Sequence, residues 1–242
     1  PPEARRPPVI TAHWIHPLLP LPANAGMHRF VWDLRYGSPP GSDSASAGFF
    51  APPRGPMALP GSYQVRLIVE GRTYSQPLTV VMDPRVKVSN ADLVAQMDFE
   101  QGVLSALARI GRTSTEIGKL RSELSAARKQ LEGRAEAKAV GTAAADIDHK
   151  AAAILQGTET GGSEAPSRSL MRLRSALAQI LSVADSTDGT PTAQSRKALE
   201  EAERQLDAAI AAWDELKSKS LPALNDLLRR NGVPAVDTSA RN

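Results

Sequence analysis

The sequence contains no cysteine among its 242 residues. This absence excludes disulfide bonds, cysteine-ligated zinc and a cysteine nucleophile. Aromatic residues make up only 4% of the chain, and no apolar run approaches the roughly 20 residues needed to span a bilayer. A signal peptide is also lacking, and the proline-rich residues 1–8 are typical of an extended linker entered from upstream. We therefore expect a fragment of a larger protein.

Charge of one sign is also scarce, because 29 basic residues nearly balance 26 acidic ones and leave a net charge of +3. Lysine and arginine form no cluster interleaved with aromatic residues, which argues against nucleic-acid binding. The hydrophobic fraction of 41% and the length are ordinary for a globular protein of one or two domains.

The composition changes sharply near residue 90. Fifteen of the 19 prolines and eight of the ten aromatic residues precede that point, and helix-forming residues dominate after it. We predict a proline-rich linker over residues 1–25, a β-sheet module over residues 26–88 and a helical bundle over residues 89–242.

The first part of the chain alternates with a period of two. Residues 28–34 predict one strand, and residues 63–69 and 74–82 predict two more, joined by a tight turn at Gly71. Pro77 favours a sheet edge or a bulge. The expected fold is therefore α+β in two parts: a small immunoglobulin-like antiparallel β-sandwich, followed by an antiparallel helical bundle.

The second part carries an apolar residue every seven positions, which predicts one long helix over about residues 91–132. Ser89 and Asp92 resemble a capping box at its start. The seam comprises Val103, Ile110, Ile117, Leu124 and Leu131. It could form an intermolecular coiled coil or pack within the chain, and we favour the second alternative because polar residues interrupt its other positions.

Three further long helices are predicted, over about residues 135–156 and 170–184 and after Thr190-Pro191, which suit a cap and a first turn. A short fifth helix is predicted to begin at residues 220–222 and to end at Asn231-Gly232. Trp213 is predicted to anchor either the core of the bundle or its contact with the sandwich.

Candidate reactive residues are few, and we expect no catalytic, cofactor-binding or metal-binding residue. The four histidines are assigned structural or solvent-exposed positions; they are His13, His16, His28 and His149. Asp33 and Asp83 could form a pair of carboxylates for glycoside hydrolysis. The stronger interpretations are that Asp33 pairs with Arg35 or caps a turn, and that Asp83 before Pro84 initiates a turn. Ser186 to Thr190 is predicted to be a plain loop.

Five segments of the first part occur in an order that resembles a known family. They are residues 25–36, 52–56, 60–67, 76–80 and 83–86, and looser points follow at residues 188–192 and 221–225. The order resembles the C-terminal region of bacterial exported proteins with sortilin-like, neuraminidase-type (Asp-box) repeats, often labelled glycosyl hydrolases. The resemblance implies an upstream β-propeller, absent here, and a periplasmic or extracellular location. Any hydrolase activity would then lie in the missing propeller.

We therefore expect a non-catalytic accessory module that docks onto the propeller of its parent protein or onto another protein surface. The alternatives are a module that binds carbohydrate or the cell wall, and a part of a glycosyl hydrolase. A carbohydrate platform would draw on aromatic residues of the first part, which are Trp14, Trp32, Phe49, Phe50, Tyr63 and Tyr74. Of these, Trp32, Tyr63 and Tyr74 follow the inward periodicity expected of a core.

Overall fold

The computed structural model describes residues 24–37, 54–133, 137–157 and 169–238. The chain divides into two units, residues 1–34 and residues 35–242. The described part of the second unit contains two strands and four helices in the order β1 (Gly61–Val69), β2 (Arg72–Val80), α1 (Asn90–Gln130), α2 (Ala137–Gln156), α3 (Leu170–Asp185) and α4 (Ala193–Arg230).

The two strands form an antiparallel hairpin in which Val69 pairs with Arg72 and Gly61 pairs with Val80. The turn residues Glu70 and Gly71 both have positive φ angles, of 48° and 76°. Positive φ at both central residues is the conformation of a type I′ turn, whose twist matches that of the flanking strands. The predicted hairpin is therefore confirmed.

The predicted β-sandwich is wrong. Within the described residues the sheet has only two strands, and residues 28–34 form no strand. Alternation gave the correct hairpin but could not supply pairing partners for a third strand, because a strand exists only where its backbone is hydrogen-bonded to a neighbour. Leu34 also has a φ of 60°, which ends the extended stretch. Only an isolated bridge follows, between Arg35 and Met57.

The helices form one bundle, and every pair among α1, α2, α3 and α4 is in contact. All five residues of the predicted seam on α1 are almost completely buried, at 1% exposure or less. The seam packs on the other helices of the same chain, so the intramolecular alternative is confirmed. Trp213 lies in this core at 1% exposure, which confirms that it anchors the bundle.

The helix ends follow from local hydrogen bonding. Ser89 and Asp92 form the predicted capping box at the start of α1. Helix α4 is capped by Thr192, whose hydroxyl accepts from the Ser195 backbone N–H, so the predicted cap at Thr190 is wrong. The end of α4 at Asn231 and Gly232 is as predicted, with Gly232 at a φ of 68°.

The predicted fifth helix is also wrong, because α4 continues through Pro222 without a break. Pro222 lies on the exposed face of the helix, so the backbone group that it leaves unpaired can be hydrated. Leu221, Leu224 and Leu228 on the opposite face are buried in the core. Their burial outweighs the local preference of proline for a helix start. Within the described residues no helix is both long and apolar enough to cross a membrane.

Candidate functional site

The hairpin presents one mainly apolar and one mainly polar face. Since side chains alternate along a strand, the register places these apolar residues together: Tyr63, Val65, Leu67, Val69, Tyr74 and Leu78. Gln76 and Arg72 share this face, opposite Val65 and Val69. We call the six apolar residues the apolar hairpin face. Its centre is exposed to solvent, with Val65 at 53%, Leu67 at 54% and Tyr74 at 55%.

Nothing in the described bundle covers this face. No Cα atom of β1 or β2 lies within 8 Å of a Cα atom of any helix. Two-stranded hairpins are marginally stable alone, and an apolar sheet face is normally buried. The prediction that Tyr63 and Tyr74 belong to a core is therefore wrong in this structure, since Tyr74 is exposed and Tyr63 is only half-buried.

The base of the hairpin is held beside the bundle by a short anchor. The Tyr63 hydroxyl donates to the carbonyl of Leu59 across 2.7 Å and also contacts the Tyr36 side chain. Burial and the neighbouring Tyr36 raise the pKa of Tyr63. The backbone N–H of Tyr36 in turn donates to the carbonyl of Pro56 across 3.0 Å. These contacts connect the first residues of β1 to residues 35–37.

Arg35 connects the same anchor to α3. Its guanidinium donates to the Gly55 carbonyl at 3.2 Å and contacts both carboxylate oxygens of Asp185, at 2.8 and 3.0 Å. The Arg35 side chain is only 18% exposed. A single guanidinium nitrogen, Nη2, makes both contacts, and a hydrogen bond between charged groups is stronger than one between neutral groups. The anchor therefore holds the hairpin base to the end of α3.

A buried carboxyl group lies behind this ion pair. Glu100 on α1 is 2% exposed and accepts a hydrogen bond from the Gln96 amide at 3.0 Å. Burial raises the pKa of Glu100, and the charge of Asp185 adds to that effect. The hydrogen bond from Gln96 and the charge of Arg35 oppose it. Sequence reasoning missed Glu100, although its spacing of three and seven residues from Val103 and Leu107 places it on the buried face of α1.

Gln96 also connects α1 to the loop between α3 and α4. Its amide donates to the Ala184 carbonyl at 3.0 Å and accepts from the Gly189 N–H at 2.9 Å. The Thr190 hydroxyl donates to Asp92, and the hydrogen bonds from Ser89 and then Thr190 lower the pKa of Asp92. The segment from Ser186 to Thr190 is a loop, as predicted, and it is bonded to the first turns of α1.

An open groove of about 420 Å³ lies between the anchor and α1. Leu104 and Ala108 form its buried floor, and Tyr36 and Pro56 line one side. The polar residues that line it are Gln101, Ser105 and Arg112. None of these three side chains is engaged in a hydrogen bond or ion pair within the described part of the chain. The groove is thus the place where unpaired polar groups and an aromatic ring meet.

No family model, curated protein or solved structure matches this chain. The function must therefore be argued from the geometry and from the sequence resemblance.

The remaining predicted candidates lie apart from these features. The Asp83 carboxylate accepts from the Arg85 guanidinium and backbone N–H, which is the turn expected before Pro84, and Arg85 lowers the pKa of Asp83. His28 contacts the Asn24 carbonyl at 2.7 Å, and His149 is exposed on α2. Trp32 is half-buried, and Asp33 is exposed. The candidates outside the described residues are His13, His16, Trp14, Phe49 and Phe50.

Across the described ranges, no group of three histidine, aspartate or glutamate side chains could hold a metal ion. Glu100 and Asp185 are two carboxyl groups near one arginine, but Arg35 already pairs with Asp185 and Gln96 with Glu100. Their arrangement therefore holds elements of the fold together. Among the described residues, the exposed hairpin face and the open groove are two surfaces that are available for binding.

Proposed function

We propose that this chain is a non-catalytic interaction module of a larger exported protein, in which the helical bundle carries a hairpin that docks onto a neighbouring protein domain. The observation that supports this proposal is the apolar hairpin face, which is exposed and lies beyond the reach of every helix. The largest exposed apolar patch of a soluble monomer, typically about 300–600 Å², is often functional. The β-propeller that the resemblance implies is the partner domain we expect.

The division of labour follows from the packing. The bundle buries nearly all of the large apolar side chains of the helices in a core that contains no residue of the hairpin. The hairpin depends on a partner for the burial of its own apolar side chains. The anchor at Arg35, Gly55 and Tyr36 holds its base and leaves the apolar hairpin face open. This arrangement suits a module that presents one surface from a rigid support.

The proposal is tested by placing a photo-reactive amino acid at position 67, on the apolar hairpin face, and at position 75, on the opposite face of β2. We expect position 67 of the full-length parent protein to cross-link to one defined surface of a neighbouring domain, and position 75 to give little product. Leu67→Gln should remove docking without changing the unfolding free energy of the isolated chain, because Leu67 is 54% exposed there. Equal cross-linking from both positions, or none from either, contradicts the docking function.

A second candidate function is the binding of carbohydrate in the groove beside α1. It is supported by the combination of the Tyr36 ring and an apolar floor with the Gln101 and Arg112 side chains, which make no hydrogen bond or ion pair within the described ranges. Aromatic walls with a few polar groups are typical of small-ligand sites. A glycan array distinguishes this function, since Arg112→Ala and Tyr36→Ala should each abolish any signal while Arg196→Ala, far along the chain on α4, should not. An array without signals for the unmodified chain excludes it.

A further inference from the structure

We infer that the hairpin binds its partner by strand addition at the outer edge of β1, and that the partner supplies an extended strand with an acidic side chain. This inference rests on the proposed docking function and deepens it by naming the bound element. Three features of the hairpin support it: the backbone groups that its two edges present, the charge on β1 and the area of the apolar hairpin face.

The register determines which backbone groups point outward. Val69 and Arg72 flank a two-residue type I′ turn, so they form a hydrogen-bonded pair, and every second pair after them does the same. The intervening pairs turn their N–H and C=O groups away from the partner strand. On β1 these residues are Ser62, Gln64, Arg66 and Ile68, and on β2 they are Thr73, Ser75, Pro77 and Thr79.

The two edges are not equivalent. Pro77 faces Gln64 in one of the pairs whose backbone groups point outward. The N–H that proline lacks would not bond to β1, so the β1–β2 ladder is intact. Its absence removes one donor from the outer edge of β2. Proline at such a position is a common device that prevents edge pairing. The outer edge of β1 retains all of its donors. Within the described residues no bond outside the hairpin is made by the outward-directed backbone groups of β1, which belong to Ser62, Gln64, Arg66 and Ile68.

Area argues against a second copy of this chain as the occupant. A nine-residue strand pair is about 30 Å long and about 10 Å wide, so its face offers about 300 Å². A stable interface needs about 800 Å² from each partner. Two apolar hairpin faces therefore bury too little surface for a homodimer that packs face to face. A strand added to the edge of β1 instead gains main-chain hydrogen bonds along its length.

The charge on β1 also argues against a second copy of this chain. Arg66 is the sole charged residue of β1 and makes no ion pair with the described residues. Two antiparallel β1 strands paired about their centres would place Arg66 opposite Gln64 of the copy and diagonally next to the other Arg66, within reach of long side chains, so that the like charges repel. An aspartate or glutamate on the added strand removes this penalty. The partner is therefore a different sheet, with an acidic residue near Arg66.

The experiment uses a displayed library of peptides with nine randomised residues, the length of β1, selected against the full chain. Four variants are then compared with the unmodified chain. Gln64→Pro removes an outward N–H from β1, and Ser75→Pro is its matched control because it removes one from the β2 edge. Arg66→Glu reverses the charge, and Leu67→Gln alters the apolar hairpin face.

We expect the selected peptides to alternate apolar with polar residues and to carry an acidic residue. They should bind the Ser75→Pro variant as they bind the unmodified chain, and bind the Gln64→Pro variant about tenfold more weakly, because one edge hydrogen bond is lost and the added strand is displaced. The Arg66→Glu variant should select basic residues instead. Amide exchange at Gln64 and Arg66 should slow when peptide binds.

Two outcomes overturn the inference. If the peptides bind the Gln64→Pro variant as tightly as the unmodified chain but fail to bind the Leu67→Gln variant, strand addition is wrong and docking through the apolar hairpin face stands. If no peptide is enriched, or if neither substitution changes binding, strand addition and the proposed docking function both fail. Amide protection across the β1–β2 ladder in each variant verifies that the hairpin itself is intact.

Discussion

Trp213 donates its indole N–H to the carboxylate of Glu116 across 2.9 Å, which joins α4 to α1 at the most bulky residue of the core. Lys217 contacts the same carboxylate at 3.1 Å and lies 5.4 Å from the centre of the indole ring. Glu116 therefore satisfies the one polar atom of a side chain that is 1% exposed. A buried N–H group without a partner would be costly.

The first prediction concerns this pair. Glu116→Ala should lower the unfolding free energy by about 1–3 kcal/mol, because it leaves the Trp213 N–H unsatisfied. In a Trp213→Phe background the same substitution should cost much less, since phenylalanine has no N–H group to satisfy. Denaturant unfolding of the four proteins measures the coupling. Glu132→Ala, at an exposed position, serves as the control, and equal costs in both backgrounds would exclude the hydrogen bond as a source of stability.

The second prediction is a pH dependence from Glu100. Burial raises its pKa in the folded protein above the value in the unfolded chain, so folding favours the protonated carboxyl group. The stability that this group contributes is present below the unfolded pKa, and it is lost as the pH rises through the raised, folded pKa. Glu100→Gln has no such proton to lose and keeps an acceptor for Gln96.

The variant should therefore be more stable than the unmodified chain at neutral pH, and the difference should vanish in acid below the unfolded pKa of Glu100. Urea unfolding at a series of pH values measures this difference. Glu200→Gln, on an exposed position of α4, should show no comparable dependence. A constant difference between the Glu100→Gln variant and the unmodified chain across the series would contradict the role of Glu100.

Local patterns predicted the helices well because the bundle buries one continuous seam. The seven-residue spacing from Val103 to Leu131 specifies a buried face, and the structure buries it against helices of the same chain. The strand arrangement in the first part of the chain could not be predicted in this way. Alternation from Tyr63 to Leu78 shows that one hairpin face is apolar, but it does not show which strands cover that face. Strand pairing is decided by distant segments, whereas helix bonding is local.

The contacts of the site residues were also difficult to predict from local sequence. The burial of Glu100 could have been read from its helical spacing, but the contact between Arg35 and Asp185 joins residues separated by 150 positions. Nothing local in the sequence marks such a pair. The continuation of α4 through Pro222 is a similar case. The burial of Leu221 and Leu224 is a tertiary effect, and it overrides the local preference of proline for the start of a new helix.

The third prediction follows from Pro222. Proline inside a helix is less favourable than alanine by about 3 kcal/mol, because it removes a backbone hydrogen bond and crowds the preceding turn. Pro222 is exposed on α4, so Pro222→Ala should raise the unfolding free energy by up to about 3 kcal/mol without disturbing the core. Pro234→Ala, in the segment after the helix, should act in the opposite direction by increasing the freedom of the unfolded chain. If Pro222→Ala lowered the unfolding free energy, the prediction would be wrong and proline would stabilise α4 at this position.

The fourth prediction tests the anchor of the hairpin. A Cβ atom at Gly55 would lie 2.3 Å from the carbonyl oxygen of Tyr36, and both are backbone positions that cannot rotate away. Gly55→Ala should therefore force residues 35–37 away from residues 54–56 and break the hydrogen bond from Tyr36 to Pro56. We expect a loss of about 1–3 kcal/mol in unfolding free energy. The Tyr36 amide should exchange with solvent much faster.

Gly118→Ala provides the matched control, because a Cβ atom there meets nothing within 4 Å and the residue lies inside α1. Alanine is favoured over glycine in a helix, so this substitution should stabilise the chain by about 0.5–1 kcal/mol. In both variants the amides of β1 that bond to β2 should keep their protection, since the ladder between the strands does not involve Gly55. If Gly55→Ala left the exchange of the Tyr36 amide unchanged, residues 35–37 would not hold the hairpin base, and the module would present a loosely tethered hairpin instead of a fixed docking surface.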